Sequence, residues 1–122
     1  MQIKRDLKKR TFNFAKKAIE LVGKLPKNLA NEILSFQFIK AAVSMGANYR
    51  EADGAESARD FVHKIGVIIK EAKEAFYLLG LLQFTNKSLN DLNDEFEWLI
   101  NENGELIKIF SKISLNVKSK LK

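Results

Sequence analysis

The sequence predicts an all-α protein, an antiparallel four-helix bundle with up-down-up-down topology. Three observations predict this class. Apolar residues recur at steps of three and four along four stretches of the chain. The 122 residues include one proline, and the joins between the stretches are short. Alternating β-branched runs are sparse, which argues against a sheet. We therefore expect one domain, residues 1–122, which is long enough to bury a core without disulfides.

The first helix is predicted over residues 6–25, because Pro26 cannot continue it. A second apolar stripe runs beside its inward-facing seam. A helix with two neighbouring apolar stripes needs cover on more than one side. The seam consists of Leu7, Thr11, Phe14, Ala18, Leu21 and Leu25, and the second stripe of Phe12, Ala15, Ile19 and Val22.

The second helix is predicted over residues 29–53, with Asn28 as its N-cap and Gly54 at a left-handed C′ position. Small residues around Gly46 make its second half thin, which favours close packing of another backbone. The predicted inward stripe is Leu29, Ile33, Phe36, Val43 and Ala47.

The third and fourth helices are predicted over residues 58–83 and 89–117, each after a serine N-cap, Ser57 and Ser88. Asn103 occupies a seam position of the fourth helix, and Asn103-Gly104 favours a kink or local break there. Residues 118–122 are predicted to be a frayed basic tail. The two seams are Phe61, Ile65, Ile68, Ala72, Ala75, Leu79 and Leu82, then Leu89, Leu92, Phe96, Leu99, Asn103, Leu106, Phe110, Ile113 and Val117.

Charge is distributed unevenly along the chain. Residues 1–27 hold nine basic and two acidic side chains, and residues 108–122 hold five lysines and no acid. The segment 28–107 holds seven basic and thirteen acidic residues. Basic ends are typical of polyanion binding, but solvated helix faces have the same composition. Antiparallel topology would also place both basic ends beside acids near Glu51 and Asp53, so part of the charge can be neutralised internally.

The residues offer little for catalysis. There is no cysteine, and the single histidine, His63, cannot form the paired Glu-x-x-His motifs of a di-iron bundle. The glycines are isolated, so no phosphate-binding loop exists. We expect a non-enzymatic protein with no metal and no cofactor. Without a signal-like or membrane-spanning apolar run, the expected location is the cytoplasm.

The candidate functional residues form two groups. The expected nucleic-acid-binding residues are Lys8, Lys9, Arg10, Lys16, Lys17, Lys118 and Lys120. The expected oligomer-interface residues are Phe12, Ile19, Gly46 and Trp98. Two alternatives stay open for the aromatics: Trp98 can simply cover the edge of the core, and Phe12 can do the same or stack on a single-stranded base.

A polar cluster joins the second and third helices. A Glu51–Lys64 or Arg50–Asp60 ion pair is expected there. It either fixes the geometry of the helical hairpin or contacts a ligand or subunit.

Four patterns carry a family resemblance. They are Asp6-Leu7 with Phe14, Ala15, Ala18 and Leu25-Pro26; Gln37, Lys40, Ala41, Ala42, Ser44, Ala47, Asn48 and Glu51; Ser57, Asp60, Phe61 and Lys64; and Lys70, Glu71, Ala72, Glu74, Tyr77, Leu78 and Leu82. On these residues the chain resembles the small bacterial four-helix-bundle proteins encoded within intervening sequences of 23S rRNA genes. It is also similar to their relatives, the accessory proteins of diversity-generating retroelements.

The resemblance implies a bundle that assembles as a homopentameric ring. It also implies association with nucleic acid and, by way of the retroelement relatives, with a reverse transcriptase. It brings no catalytic residues. The expected function is therefore nucleic-acid binding by an oligomer, with RNA favoured over DNA. The alternative is an oligomeric protein-interaction scaffold with no nucleic-acid role.

Overall fold

The computed structural model describes residues 2–121, with side chains described from Asp6 onward. Within this range the chain forms four α-helices and no strand: α1 (Gln2–Val22), α2 (Leu29–Asp53), α3 (Ala58–Thr85) and α4 (Asn93–Lys120). A 3₁₀ turn, Asn90–Leu92, precedes α4. The all-α prediction is confirmed.

Each helix packs against its neighbours in the chain, and α1 also packs against α4, so α1 and α3 lie diagonally across the bundle. The pairs between α1 and α2 run in opposite directions, from Lys8 with Asp53 to Phe14 with Phe38. The pairs between α1 and α4 do the same, from Arg10 with Glu102 to Lys17 with Trp98. Neighbouring helices are thus antiparallel.

Several helix ends differ from the prediction. α1 begins at Gln2 and ends at Val22, and α3 continues to Thr85. α4 begins at Asn93, because the 3₁₀ turn Asn90–Leu92 comes first. The predicted N-cap Ser88 therefore does not cap α4, whose N-cap is Leu92. The tail is helical up to Lys120, where lysines oppose the negative end of the helix dipole, and position 122 lies outside the described residues.

The prediction for the inward face of α2 is wrong. The stripe of Leu29, Ile33, Phe36, Val43 and Ala47 is exposed. The core side of α2 instead carries Phe38, Ala41, Ala42, Met45, Tyr49 and Ala52, with Asn31 and Ser35 also buried. Both sides of this helix are apolar, so the 3.6-residue period cannot tell which one meets the core.

The seams predicted for α1, α3 and α4 form the core. Phe14 packs edge-on against Phe38, and Tyr49 packs against Phe110. Asn103 is fully buried and donates a hydrogen bond from Nδ2 to the Ala72 carbonyl at 3.0 Å. α4 continues through Gly104, so the predicted break does not occur.

The predicted caps are partly right. Asn28 and Ser57 accept hydrogen bonds from the backbone N–H groups of Asn31 and Asp60. Gly54 has a φ of −97°, so it does not adopt the left-handed conformation expected of it. No helix of the described chain is both long enough and apolar enough to cross a membrane.

Candidate functional site

The predicted nucleic-acid-binding residues of α1 point to three different sides. Lys8 turns toward α2, where its ammonium lies 2.9 Å from Asp53 Oδ2. Arg10 turns toward α4 and donates two hydrogen bonds to the Glu102 carboxylate, at 2.7 and 2.9 Å. Lys17 also faces α4, with its ammonium 5.0 Å from the centre of the Trp98 ring. These three cations are engaged within the chain.

Glutamates of α4 hold Arg10 and also Lys24, which follows α1. Glu102 raises the pKa of Arg10 through its hydrogen bonds and its charge, although partial burial opposes the shift. Glu95, 2.8 Å from the ammonium, raises the pKa of Lys24 in the same way. The basic side chains of Arg10 and Lys24 on the α4 side are thus neutralised by glutamates. The positive potential outside this side is weaker than the number of lysines and arginines alone would give.

Lys9 and Lys16 of α1 are exposed, with Lys16 at the rim of a groove between α1 and α2, and Lys118 and Lys120 are exposed in the last turn of α4. The antiparallel register places the start of α1 beside the end of α4, because Leu7 and Ile113 line one groove. The structure therefore brings the two basic segments to the same end of the bundle, with Lys16 further along.

The polar cluster between α2 and α3 forms one of the two expected pairs. Lys64 Nζ lies 2.8 Å from Glu51 Oε1, which raises the pKa of Lys64. Arg50 donates a long hydrogen bond of 3.3 Å to the Gly46 carbonyl. The Glu51–Lys64 pair is exposed and contributes little to stability.

An apolar surface crosses from α1 to α2, and we call it the α1–α2 apolar face. Its groove, of about 460 Å³, is lined chiefly by apolar atoms of Phe12, Ala15, Ile19, Val43 and Ala47. The Phe12 side chain is 60% exposed and Ile19 is 52% exposed. On the same side of α2, beyond the exposed Lys40, Leu29, Ile33 and Phe36 are also exposed, and we count them as part of this face.

The other two predicted interface residues are placed differently. Gly46 is buried at the floor of this groove, where α2 approaches Thr11 of α1. Trp98 is partly exposed between α1 and α4, beneath Lys17. Neither one belongs to the open apolar surface.

Sequence reasoning missed Leu29, Ile33 and Phe36 as surface residues because it assigned them to the core. A signal was present: the stripe of Phe38, Met45 and Tyr49 on the other side of α2 is equally apolar. Two apolar stripes on one helix indicate two contacts, as they do for α1.

No three His, Cys, Asp or Glu side chains of the described part of the chain lie close enough together to hold a metal ion. His63 is exposed on α3.

Two comparisons relate the chain to known proteins. It is similar to a solved structure described as a protein of unknown function from the S23 ribosomal protein family of Bacteroides thetaiotaomicron VPI-5482. The two share 29% identity, with a TM-score of 0.74 over 88% of this chain and 97% of the other. No curated protein matches the sequence significantly. A family model described as 23S rRNA-intervening sequence protein matches residues 4–112, which confirms the resemblance. The chain therefore belongs to the family of 23S rRNA-intervening sequence proteins.

Proposed function

We propose that this protein is a non-enzymatic helical bundle that assembles with copies of itself and binds nucleic acid, with RNA favoured over DNA. The α1–α2 apolar face is the observation that carries the proposal. Monomeric proteins rarely leave a contiguous apolar patch of this kind in water, and its burial in a subunit contact is strongly favourable. A homopentameric ring is the assembly that the family resemblance implies.

The nucleic-acid part of the proposal rests on charge. The chain has a net charge of +6, and the exposed cations of Lys9, Lys16, Lys118 and Lys120 lie outside the ion pairs that hold Lys8 and Arg10. In an assembly these cations repeat in every copy. Several weak phosphate contacts then act together, which raises the affinity for a strand that spans more than one subunit.

A titration of labelled RNA with the protein at low and moderate salt tests this function. Binding should weaken steeply with salt, because phosphate contacts release counterions. The double variant Lys9→Gln with Lys16→Gln should bind RNA more weakly than the unmodified protein at the same salt concentration. Lys24→Gln is the matched control, since that ammonium is already paired with Glu95. Absence of RNA and DNA binding at low salt would remove the nucleic-acid role.

The second candidate is a protein-interaction scaffold without a nucleic-acid role, with a reverse transcriptase as the partner class that the resemblance implies. The neutralisation of Lys8 by Asp53 and of Arg10 by Glu102 favours this candidate. An assembled protein that binds no nucleic acid in the same titration is the result that it predicts.

A further inference from the structure

The outer surface of α3 carries a regular basic and aromatic pattern. Its positions follow one another at alternating steps of four and three, so they form one solvent-facing stripe along the helix and into the turn after it. Every member is exposed, and none is acidic. The stripe, which we call the α3 stripe, consists of Arg59, His63, Gly66, Lys70, Lys73, Tyr77, Gly80, Phe84 and Lys87.

The cations of this stripe differ from those of α1. The segment 28–107 is acidic overall, with thirteen acids and seven basic residues, and four of those seven lie on the α3 stripe. Within the described residues Lys70, Lys73 and Lys87 have no carboxylate within 4.0 Å, although Glu74 is one turn from Lys70. Their charge is therefore available to an external anion.

The aromatic rings of the stripe are also open. Tyr77 is 67% exposed and Phe84 is 63% exposed. They are seven residues apart, about 10 Å along the helix. Between them lies Gly80, and a Cβ atom built there would meet nothing within 4 Å. The Lys87 ammonium lies 4.9 Å from the centre of the Phe84 ring. The surface thus presents two exposed rings, one of them with a lysine ammonium over it, with a glycine between them and cations on either side.

We propose that the α3 stripe binds single-stranded nucleic acid. Unpaired bases stack on Tyr77 and Phe84, while Lys70, Lys73 and Lys87 contact the phosphates. Aromatic platforms interleaved with cations are how proteins hold single strands without reading their sequence. This inference rests on the proposed function, to which it adds a second site, on α3, and the form of the ligand.

Two other occupants fit the stripe less well. Protein interfaces are depleted in lysine, yet three lysines interrupt the apolar surface here. A duplex keeps its bases stacked on one another, so rings standing on a convex helix cannot reach their faces. The stripe also lies on the helix diagonal to α1. The α3 stripe therefore shares no residue with the α1–α2 apolar face.

The test compares substitutions that keep the ring with substitutions that remove it, using the full-length protein. Fluorescence anisotropy with labelled oligo(U) and with duplex RNA of equal length should show tighter binding of the single strand. Tyr77→Leu and Phe84→Leu keep apolar bulk but lose the ring, and each should weaken oligo(U) binding by about fivefold or more. Tyr77→Phe and Phe84→Tyr should bind like the unmodified protein.

The lysines have a separate readout. Lys70→Gln with Lys73→Gln should make the slope of log affinity against log salt shallower by about 1.4, because each phosphate contact to a single strand contributes about 0.7. Leu115→Ala, which removes another exposed apolar side chain from α4, is the control and should change neither affinity nor slope.

The outcomes separate this inference from the proposed function. If the unmodified protein binds RNA and the leucine variants bind it equally well, the α3 stripe is not the site, and the proposed function stands. If the leucine variants change the molar mass in light scattering, the stripe is a subunit contact and the inference is overturned. If the unmodified protein binds no nucleic acid at any salt concentration, both are lost.

Discussion

At the residue scale, Asn103 shows how one polar side chain sits in an apolar seam. Its Nδ2 group reaches the Ala72 carbonyl on α3, but Oδ1 is buried without a hydrogen-bond partner among the described residues. An unsatisfied buried acceptor costs free energy, and such residues are known to specify helix register. The sequence already distinguishes Asn103, because every other position of this seam is apolar.

Replacing Asn103 with leucine should therefore stabilise the fold. We expect Asn103→Leu to raise the free energy of unfolding by about 1 kcal/mol, since it removes the unsatisfied oxygen and adds apolar contacts. Urea denaturation measures this change. Asn101→Leu, at an exposed position of the same helix, is the matched control and should change stability little. A loss of stability in Asn103→Leu would show that the amide is needed for packing.

Tyr49 makes the fold sensitive to alkaline pH. The side chain is buried against Phe110, and burial, followed by the nearby Asp53 carboxylate, raises the pKa of Tyr49. The folded state therefore holds this proton more tightly than the unfolded chain does, whose tyrosines titrate near pH 10. Stability is fully present below that pH and is lost as the pH rises through the folded-state pKa.

The free energy of unfolding should fall above about pH 10, by at most about 1.4 kcal/mol per pH unit for this one proton. Tyr49→Phe should show a shallower fall in denaturant melts recorded across that range. Lys24 and Lys64, whose pKa values are also raised, add a fall in the same direction that both proteins share. Identical pH profiles for the two proteins would contradict the role of Tyr49.

At the element scale, α2 marks the boundary of what the sequence can predict. The apolar period predicts the seams of α1, α3 and α4 correctly: their seam residues are buried or half-buried, whereas Phe12 and Ile19 of the second α1 stripe are exposed. On α2 both sides are apolar, and the side predicted to face the core, which includes Leu29 and Phe36, is the exposed one. The packing of α1 and α3 against α2 determines which side of α2 is buried, and the sequence of α2 alone does not contain that information.

The contact between α1 and α2 depends on Gly46. A Cβ atom at this position would lie 3.2 Å from Thr11 Oγ1. Thr11 is fully buried, and its hydroxyl donates to the Leu7 carbonyl at 2.7 Å, so it cannot move away easily. Close packing at this point is the physical reason for a glycine inside the helix, where it costs about 1 kcal/mol relative to alanine.

Gly46→Ala should destabilise the protein by about 1–2 kcal/mol, because overpacking at Thr11 outweighs the gain in helix propensity. Gly104→Ala is the matched control. No atom lies within 4 Å of a Cβ built at Gly104, so that change should stabilise by up to about 1 kcal/mol. Thermal unfolding of the two variants decides the matter, and equal stabilisation of both would show that α1 can shift away from α2.

At the scale of the whole molecule, the proposed subunit contact and the proposed nucleic-acid site on α3 are separate surfaces. The α1–α2 apolar face and the α3 stripe share no residue, and α1 and α3 are diagonal in the bundle. Charge counting predicts the basic residues of α1 and of the tail as the nucleic-acid surface, but the sequence does not show which acids those cations meet in space. Lys8 and Arg10 are paired in the fold, whereas Lys70 and Lys73 of the acidic middle segment have no ion pair among the described residues.

Charged substitutions in the α1–α2 apolar face should dissociate the assembly. Phe12→Glu together with Ile19→Glu places carboxylates where a second copy would pack, and burying them without partners is costly. Both positions are exposed in the single chain, so the helical content in circular dichroism should not change. Leu115→Glu, also exposed but on α4, is the control and should leave the assembly intact. Dissociation in the control alone would locate the contact elsewhere.

The molar mass of the unmodified protein in solution, measured by light scattering on a size-exclusion column, tests the account most directly. Assembly through the α1–α2 apolar face predicts a multiple of the 13.9 kDa chain, about 70 kDa for a ring of five copies. The mass should stay constant on dilution through the micromolar range. A mass of 13.9 kDa at every concentration would contradict the account, because the exposed apolar face would then have no second copy to cover it.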